Sequence, residues 1–215
     1  MKRETANLLR FEKEAWDSGL KSVAGVDEVG RGPLAGPVIA AAVVFRAGEV
    51  PEGIRDSKQL SPAKRERLFV SICEQAVSIG LGIVSEKVID RINILRATHL
   101  AMRKALASLS VKPGICLVDG MRIPRVDGLQ KAVVNGDKLS ASIGAASIIA
   151  KVTRDRIMID QDRRYPEYGF ASHKGYGTKV HIAALERFGP CKIHRFTFNP
   201  VRKVVERRKH GESTS

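Results

Sequence analysis

The stretch LAGPVIAAAVVF, residues 34–45, restricts what this chain can fold into more than any other. It carries no charge and runs into a string of apolar, partly β-branched side chains, with a glycine and a proline near its start. Such a run reads as a buried strand rather than as an amphipathic helix. It is too short to cross a bilayer as a helix, which takes about 20 apolar residues. A strand of this kind needs a sheet around it and helices over that sheet, and 215 residues are enough to bury such a core.

The rest of the chain supplies both. Just upstream, SVAGVDEV at 22–29 reads as a strand, and the turn containing Gly30 and Gly32 lets it pair as a hairpin with PVIAAAVVF at 37–45. Further strands are expected at VSIGLGIVS (77–85), at ICLVDG (115–120) ending on Asp119, and at KAVVNGD (131–137) ending on Asp137. Residues 4–18 form an amphipathic helix with Gly19 at its C-terminal cap, and Ser61 and Pro62 start a helix that runs through Ala76. Apolar groups at helical intervals predict a helix over 92–109 and a long one over 138–164, where Ala141, Gly144 and Ala145 allow close approach to a sheet. This order predicts an α/β fold: a mixed five-stranded sheet flanked by helices, with additional C-terminal helices. One domain is expected over 1–203, followed by a basic and then polar, frayed tail over 204–215.

Charge narrows the function. Lys and Arg number 37 against 23 Asp and Glu, a formal net charge of +14, which favours an anionic partner, of which nucleic acid is the commonest. Cys73, Cys116 and Cys191 are odd in number and lack paired metal spacing, so they fit a reducing cytosol better than a disulfide framework. The N-terminus MKRETANLLRFEKEAW is charged throughout and lacks the apolar core of a secretion signal. A cytoplasmic protein away from the membrane is expected.

Four acids share one placement. Asp27, Glu28, Asp119 and Asp137 each lie at or near the end of an expected apolar strand, where α/β sheets gather ligands. Together they repel when empty and suit Mg²⁺ or Mn²⁺, hard ions that take oxygen ligands. Read singly, each acid is better explained as a solvated turn former, and Arg31 could pair with the adjacent Asp27 and Glu28; read jointly, the metal reading is favoured. Neighbours in a strand also point to opposite faces, so both serve one site only where the strand ends or bulges.

The run GVDEVGRGPLAGPV at 25–38, DSKQL at 56–60, LVDG at 117–120, GDKLSASIGAASIIAKVTRD at 136–155 and SHKGYGT at 172–178 closely resembles bacterial ribonuclease HII, in order and over about residues 20–200. The resemblance implies a ribonuclease H-like fold, a divalent-metal endonuclease active on RNA/DNA hybrids and on duplex DNA at embedded ribonucleotides, and a monomer. It implies Asp27, Glu28, Asp119 and Asp137 as metal-binding acids, and two ions during catalysis. Gly30, Arg31 and Gly32 match the loop that contacts the backbone around the ribonucleotide and reads its 2′-hydroxyl, and Tyr176 matches the tyrosine that stacks beside that sugar. Ser57 and Lys58 resemble phosphate-contacting residues. The related type III enzymes resemble the chain less, because they lack the glycine–arginine–glycine form of the loop.

Lys138, Lys151, Arg154, Lys174, Lys179, Arg195 and Arg202 are candidates for nucleic-acid backbone contacts, weighed against ordinary solvated charges. Asp155 could support the metal site or simply pair with Lys151. His173, His181 and His194 have no zinc-like spacing and read as surface or core residues, and Phe11 and Trp16 as core contacts of the first helix. Two rivals remain open from the residues alone: a non-catalytic nucleic-acid binder, and a resolvase- or transposase-type nuclease of the same fold.

Overall fold

The computed structural model describes residues 8–54 and 60–212, the last three by backbone alone. Contacts group the chain into two compact units, Met1–Val29 with Ile39–Ile83 and Thr98–Val152, and Gly30–Val38 with Val84–Ala97 and Thr153–Ser215. Among the described residues no helix is long and apolar enough to cross a membrane.

The first unit is built on the sheet. Strands β1 (Val23–Val29), β2 (Val38–Phe45), β3 (Ser78–Val84), β4 (Ile115–Asp119) and β5 (Leu129–Val133) lie in the order β3-β2-β1-β4-β5. β1 runs antiparallel to β2 from Val23↔Phe45 to Val29↔Ile39, the expected hairpin, and parallel to β4 from Val23↔Ile115 to Val26↔Val118. β4 and β5 are also parallel. All eight residues of β2 are buried, as its uncharged sequence demands.

Helices α1 (Arg10–Asp17) and α2 (Pro62–Gln75) obey the expected capping chemistry. Gly19 closes α1 with φ +87°, its N–H donating to Trp16 O at 2.9 Å, and Ser61 Oγ accepts from Lys64 N at 3.4 Å ahead of Pro62. Phe11 and Trp16 pack on the cluster of Ala15, Val23, Leu117, Val133 and Ile143. Ten successive residues of α6 (Ala141–Arg164), 141–150, are buried. The close approach of this helix is licensed from the strand: a Cβ on Gly25 of β1 would stand 2.0 Å from Ser142 C. The buried Glu12 of α1 caps α6 from a distance, its Oε1 accepting from Ser140 Oγ at 2.6 Å and Ser142 N at 2.9 Å.

Two expectations are corrected. The helix expected over 92–109 is two, α3 (Glu86–Ile92) and α4 (Ile94–Ala107), because Asn93 adopts φ 68° and its Oδ1 caps Arg96 N at 3.0 Å. The last strand stops at Val133 rather than reaching Asp137: Asn135 turns left-handed at φ 55°, and Asp137 lies on a short helix, α5 (Gly136–Leu139). A final helix runs Asn199–Glu212 with Val201 and Val204 buried, and residues 213–215 of the expected tail lie outside the described residues.

The second unit is mainly helical: α3, the end of α6, α7 (Phe170–His173), α8 (Lys179–Phe188) and α9 (Asn199–Glu212), around the 30–38 loop. Ala35, Met158, Tyr168, Phe170 and Ala184 form one core cluster, and Leu34, Leu185, Val201 and Val204 another. Asp90 of α3 accepts from Phe196 N, Thr197 N and Thr197 Oγ1 at 2.6–3.0 Å.

Candidate active site

Asp27 and Asp119 are brought together by register. Val26 pairs with Val118 across two parallel strands, so the next residue on each strand is an acid. Asp27 is buried, with Oδ1 accepting from Glu28 N at 2.7 Å and a further hydrogen bond from the Ser147 side chain. Burial, then the charges of Glu28 and Asp119, hold its carboxyl well above the usual range. Asp119 Oδ1 accepts from Gly136 N at 2.6 Å, and Asp137, also buried, is the next residue in the chain. Gly136 is tightly surrounded: a Cβ there would meet Ile143 Cδ1 at 2.6 Å, so that side chain would have to shift.

Glu28 is placed differently. Strand pairing continues past both acids to Val29, so no bulge separates them, and the glycines begin only after the strand has ended. Asp27 shares the face of Gly25, toward α6; Glu28 is half-buried rather than buried, and its charge acts on Asp27 ahead of that of Asp119. Among the described residues no group of three or more His, Cys, Asp or Glu side chains stands ready to hold a metal ion. The donor chemistry nevertheless fits a hard divalent cation: the acids offer only oxygens, and the influences that oppose ionisation of Asp27 are ones a nearby cation reverses.

In the second unit the loop after β1 meets the tyrosine. Gly30 has φ +91°, and a Cβ on it would lie 2.3 Å from Arg154 Nε, so the fold itself demands glycine. Gly32 is exposed, and a Cβ there would touch only Tyr176 Cε1, at an ordinary 3.7 Å. Arg31 is exposed, and Tyr176, beside the loop, is 43% exposed. The backbone of Tyr176 is held at both ends, its N–H donating to His173 O at 2.9 Å and its carbonyl accepting from Thr178 N at 2.8 Å.

A family model described as Ribonuclease HII matches residues 24–201. The ribonuclease HII of Clostridioides difficile is 54% identical over 195 residues, 91% of this chain and 76% of its own. That of Acholeplasma laidlawii is 52% identical over 202 residues, 94% of this chain and 99% of its own.

This chain belongs to the ribonuclease HII family.

As a ribonuclease HII it is an endonuclease of the ribonuclease H class. The crystal structure of ribonuclease H2 from Pyrococcus horikoshii superposes with a TM-score of 0.73 at 31% identity, covering 86% of this chain and 98% of that one, and the ribonuclease H-like fold follows.

Two of the seven basic candidates for nucleic-acid contact do not face solvent. Arg154 and Arg195 are completely buried, with their guanidinium groups on main-chain carbonyls of their own unit. Helical periodicity could have exposed this for Arg154, which lies four residues from Ala150 and from Met158, both buried on α6. Arg195 stands between Ile193, Phe196 and Phe198, an apolar setting that also pointed inward. Lys138, Lys179 and Arg202 are exposed, Lys151, Asp155 and Lys174 half-buried. Ser57 and Lys58 lie outside the described residues.

The histidines form a directed chain that sequence reasoning did not find. Cys191 N–H donates to His194 Nδ1 at 3.0 Å, which places the His194 proton on Nε2. That proton is shared with His181 Nε2 at 3.0 Å, so His181 carries its own on Nδ1 and donates it to Tyr176 O at 2.9 Å. Burial lowers the His181 pKa, and burial together with the His181 charge lowers that of His194 to about 4. His173 stacks on His181 with ring centroids 4.5 Å apart.

Proposed function

We propose that this ribonuclease HII is a metal-dependent endonuclease that cleaves the RNA strand of RNA/DNA hybrids and nicks duplex DNA on the 5′ side of embedded ribonucleotides. The observation that carries the reading is the parallel register that sets Asp27 beside Asp119, with the ionisation of Asp27 opposed first by its burial and then by its acidic neighbours. Asp27, Glu28, Asp119 and Asp137 would hold divalent cations, Mg²⁺ or Mn²⁺. When bound, two such ions would supply activation of a water and stabilisation of the departing oxygen in a displacement at phosphorus. Glu28 N and the Ser147 side chain orient the Asp27 carboxylate, and Gly136 N orients that of Asp119.

Gly30, Arg31, Gly32 and Tyr176 would recognise the ribose. Nothing within the second unit requires glycine at position 32, so its bare backbone is free for a group arriving from outside. Arg31 adds a charged fork suited to phosphate, and Tyr176 offers an exposed ring to a sugar. With the cut on the 5′ side of the ribonucleotide, its 2′-hydroxyl cannot attack in line, and the products carry a 3′-hydroxyl and a 5′-phosphate.

The test uses an end-labelled DNA duplex with one ribonucleotide beside an all-DNA control, with Mg²⁺ or Mn²⁺ and with a chelator. Expected is a single metal-dependent nick at the ribonucleotide, absent from the control and lost in Asp27→Asn. Binding without cleavage in every condition, or a 2′,3′-cyclic phosphate by mass, would refute the reading.

A further inference from the structure

Arg154 and Arg195 are the two largest completely buried side chains among the described residues, and both converge on the loop at 30–37. Arg195 donates from Nη2 to Gly30 O at 2.6 Å, from Nη1 to Arg31 O at 2.9 Å, and from Nε and Nη2 to Gly36 O at 3.0 and 2.8 Å. Arg154 donates to Pro37 O, Ala35 O and Lys174 O at 2.9–3.0 Å. The loop is thus gripped from beneath through its carbonyls, and the second arginine also holds the segment that leads to Tyr176.

Buried arginines normally sit on carboxylates, where a charge compensates a charge. These rest on carbonyl dipoles, an arrangement that costs stability unless every donor is engaged, and it has a geometric result. A guanidinium is a rigid planar fork, so the carbonyls of Gly30, Arg31 and Gly36 must turn inward at a fixed spacing. Turning them inward leaves the exposed side of the loop to the Arg31 side chain and the bare Gly32 backbone. Burial pushes Arg195 down to about 9 and Arg154 to about 10, both above neutral, so two positive charges lie under the loop. The Arg195 guanidinium also lies over the Phe198 ring, 5.0 Å from its centroid.

We propose that Arg195 is a positioning residue for ribonucleotide recognition: by holding the Gly30 and Arg31 carbonyls inward it presents the loop to the ribose, with Arg154 tying that loop to the Tyr176 segment. The proposal rests on the reading of the loop and Tyr176 as the ribose-recognising group.

Arg195→Lys keeps the charge and removes the fork. In this variant kcat/KM on a duplex with one ribonucleotide falls about 10- to 100-fold, since small misplacement at a reacting group costs that much, while affinity for the all-DNA duplex stays within about twofold. Rates are normalised to the folded fraction from melting curves. A purely structural arginine would lower both in proportion, and that outcome, or wild-type cleavage by Arg195→Lys, overturns the proposal. Should Arg195→Lys not fold, Phe198→Leu leaves the arginine in place but loosens its seat. It should show a smaller loss confined to the ribonucleotide substrate, and an unchanged preference overturns the proposal equally. Gly32→Ala and Tyr176→Ala run alongside. If they too leave the preference intact, the ribose-reading assignment fails; if they abolish it while Arg195→Lys and Phe198→Leu do not, only the positioning role fails.

Discussion

Gly30 and Gly32 stand two positions apart and are glycine for different reasons. At Gly30 the positive φ and the Arg154 side chain, 2.3 Å from any Cβ, make the residue a requirement of the fold. Gly30→Ala should therefore cost about 1–3 kcal/mol or more in denaturant unfolding. Gly32→Ala should change stability by less than about 0.5 kcal/mol, yet reduce cleavage at a ribonucleotide. Asp27 carries the opposite tension between stability and function. Its pKa is raised in the folded state, so the folded protein binds the extra proton, and stability falls as pH rises from the unfolded value through the folded one. Without divalent ions at neutral pH, Asp27→Asn should melt higher than wild type while losing activity. A lower melting temperature would show that the buried carboxylate is not under strain. His194 titrates with the reverse sign. Its pKa is depressed to about 4, so the unfolded state takes up the proton first as pH drops, and stability falls from about pH 6.5 toward 4, by on the order of 3 kcal/mol if the shift is fully expressed. Urea midpoints across that window, compared with His194→Asn, measure it.

Elements were legible where periodicity is strong. β1 to β4 and helix α2 appear close to where apolar spacing, Ser61 and Pro62 put them, and α1 ends where Gly19 puts its cap, while residues 4–7 of the helix expected over 4–18 lie outside the described residues. The division at Asn93 was hidden, because apolar residues continue at helical intervals on both sides of it and only the left-handed backbone reveals the break. The contact between β1 and α6 was half legible. The small residues Ala141, Gly144 and Ala145 stand out in the sequence of the helix, but Gly25 on the strand removes the obstructing atom. The same device joins β3 to α4, where Cβ atoms on Gly80 and Gly82 would stand 2.0 and 1.9 Å from Ala105 O and Ala101 O. Those obstacles are backbone and cannot swing aside. Gly25→Ala and Gly82→Ala should each destabilise by about 3 kcal/mol or more, visible as a lost or much lower melting transition. A near-native transition in either would mean that strand and helix can separate at little cost.

At the scale of the molecule, the +14 charge is the quantity that meets a polyanion. Two of its contributors, Arg154 and Arg195, are buried and unavailable for direct phosphate contact. Affinity for duplex should fall with salt at a log–log slope of about −0.9 per phosphate engaged. Arg31→Ala should reduce that slope by about one, whereas Arg195→Lys should leave it unchanged. A flat salt response in the wild type would show that net charge is not the basis of binding.

The sequence by itself determined the sheet and its covering helices, because an uncharged run such as 34–45 can be satisfied only by burial on both sides. It also determined the family, through motifs spaced along most of the chain. What it could not decide were features that depend on residues far apart in the chain. The pairing of Asp27 with Asp119 comes from the register of two parallel strands. The reach of Glu12 to the start of α6, the tautomers running from Cys191 to Tyr176, and the inward turn of Arg195 are equally invisible to local pattern. Arg195 shows the physical reason most clearly: arginine is ordinarily a surface residue, and only the convergence of the Gly30, Arg31 and Gly36 carbonyls makes its burial tolerable.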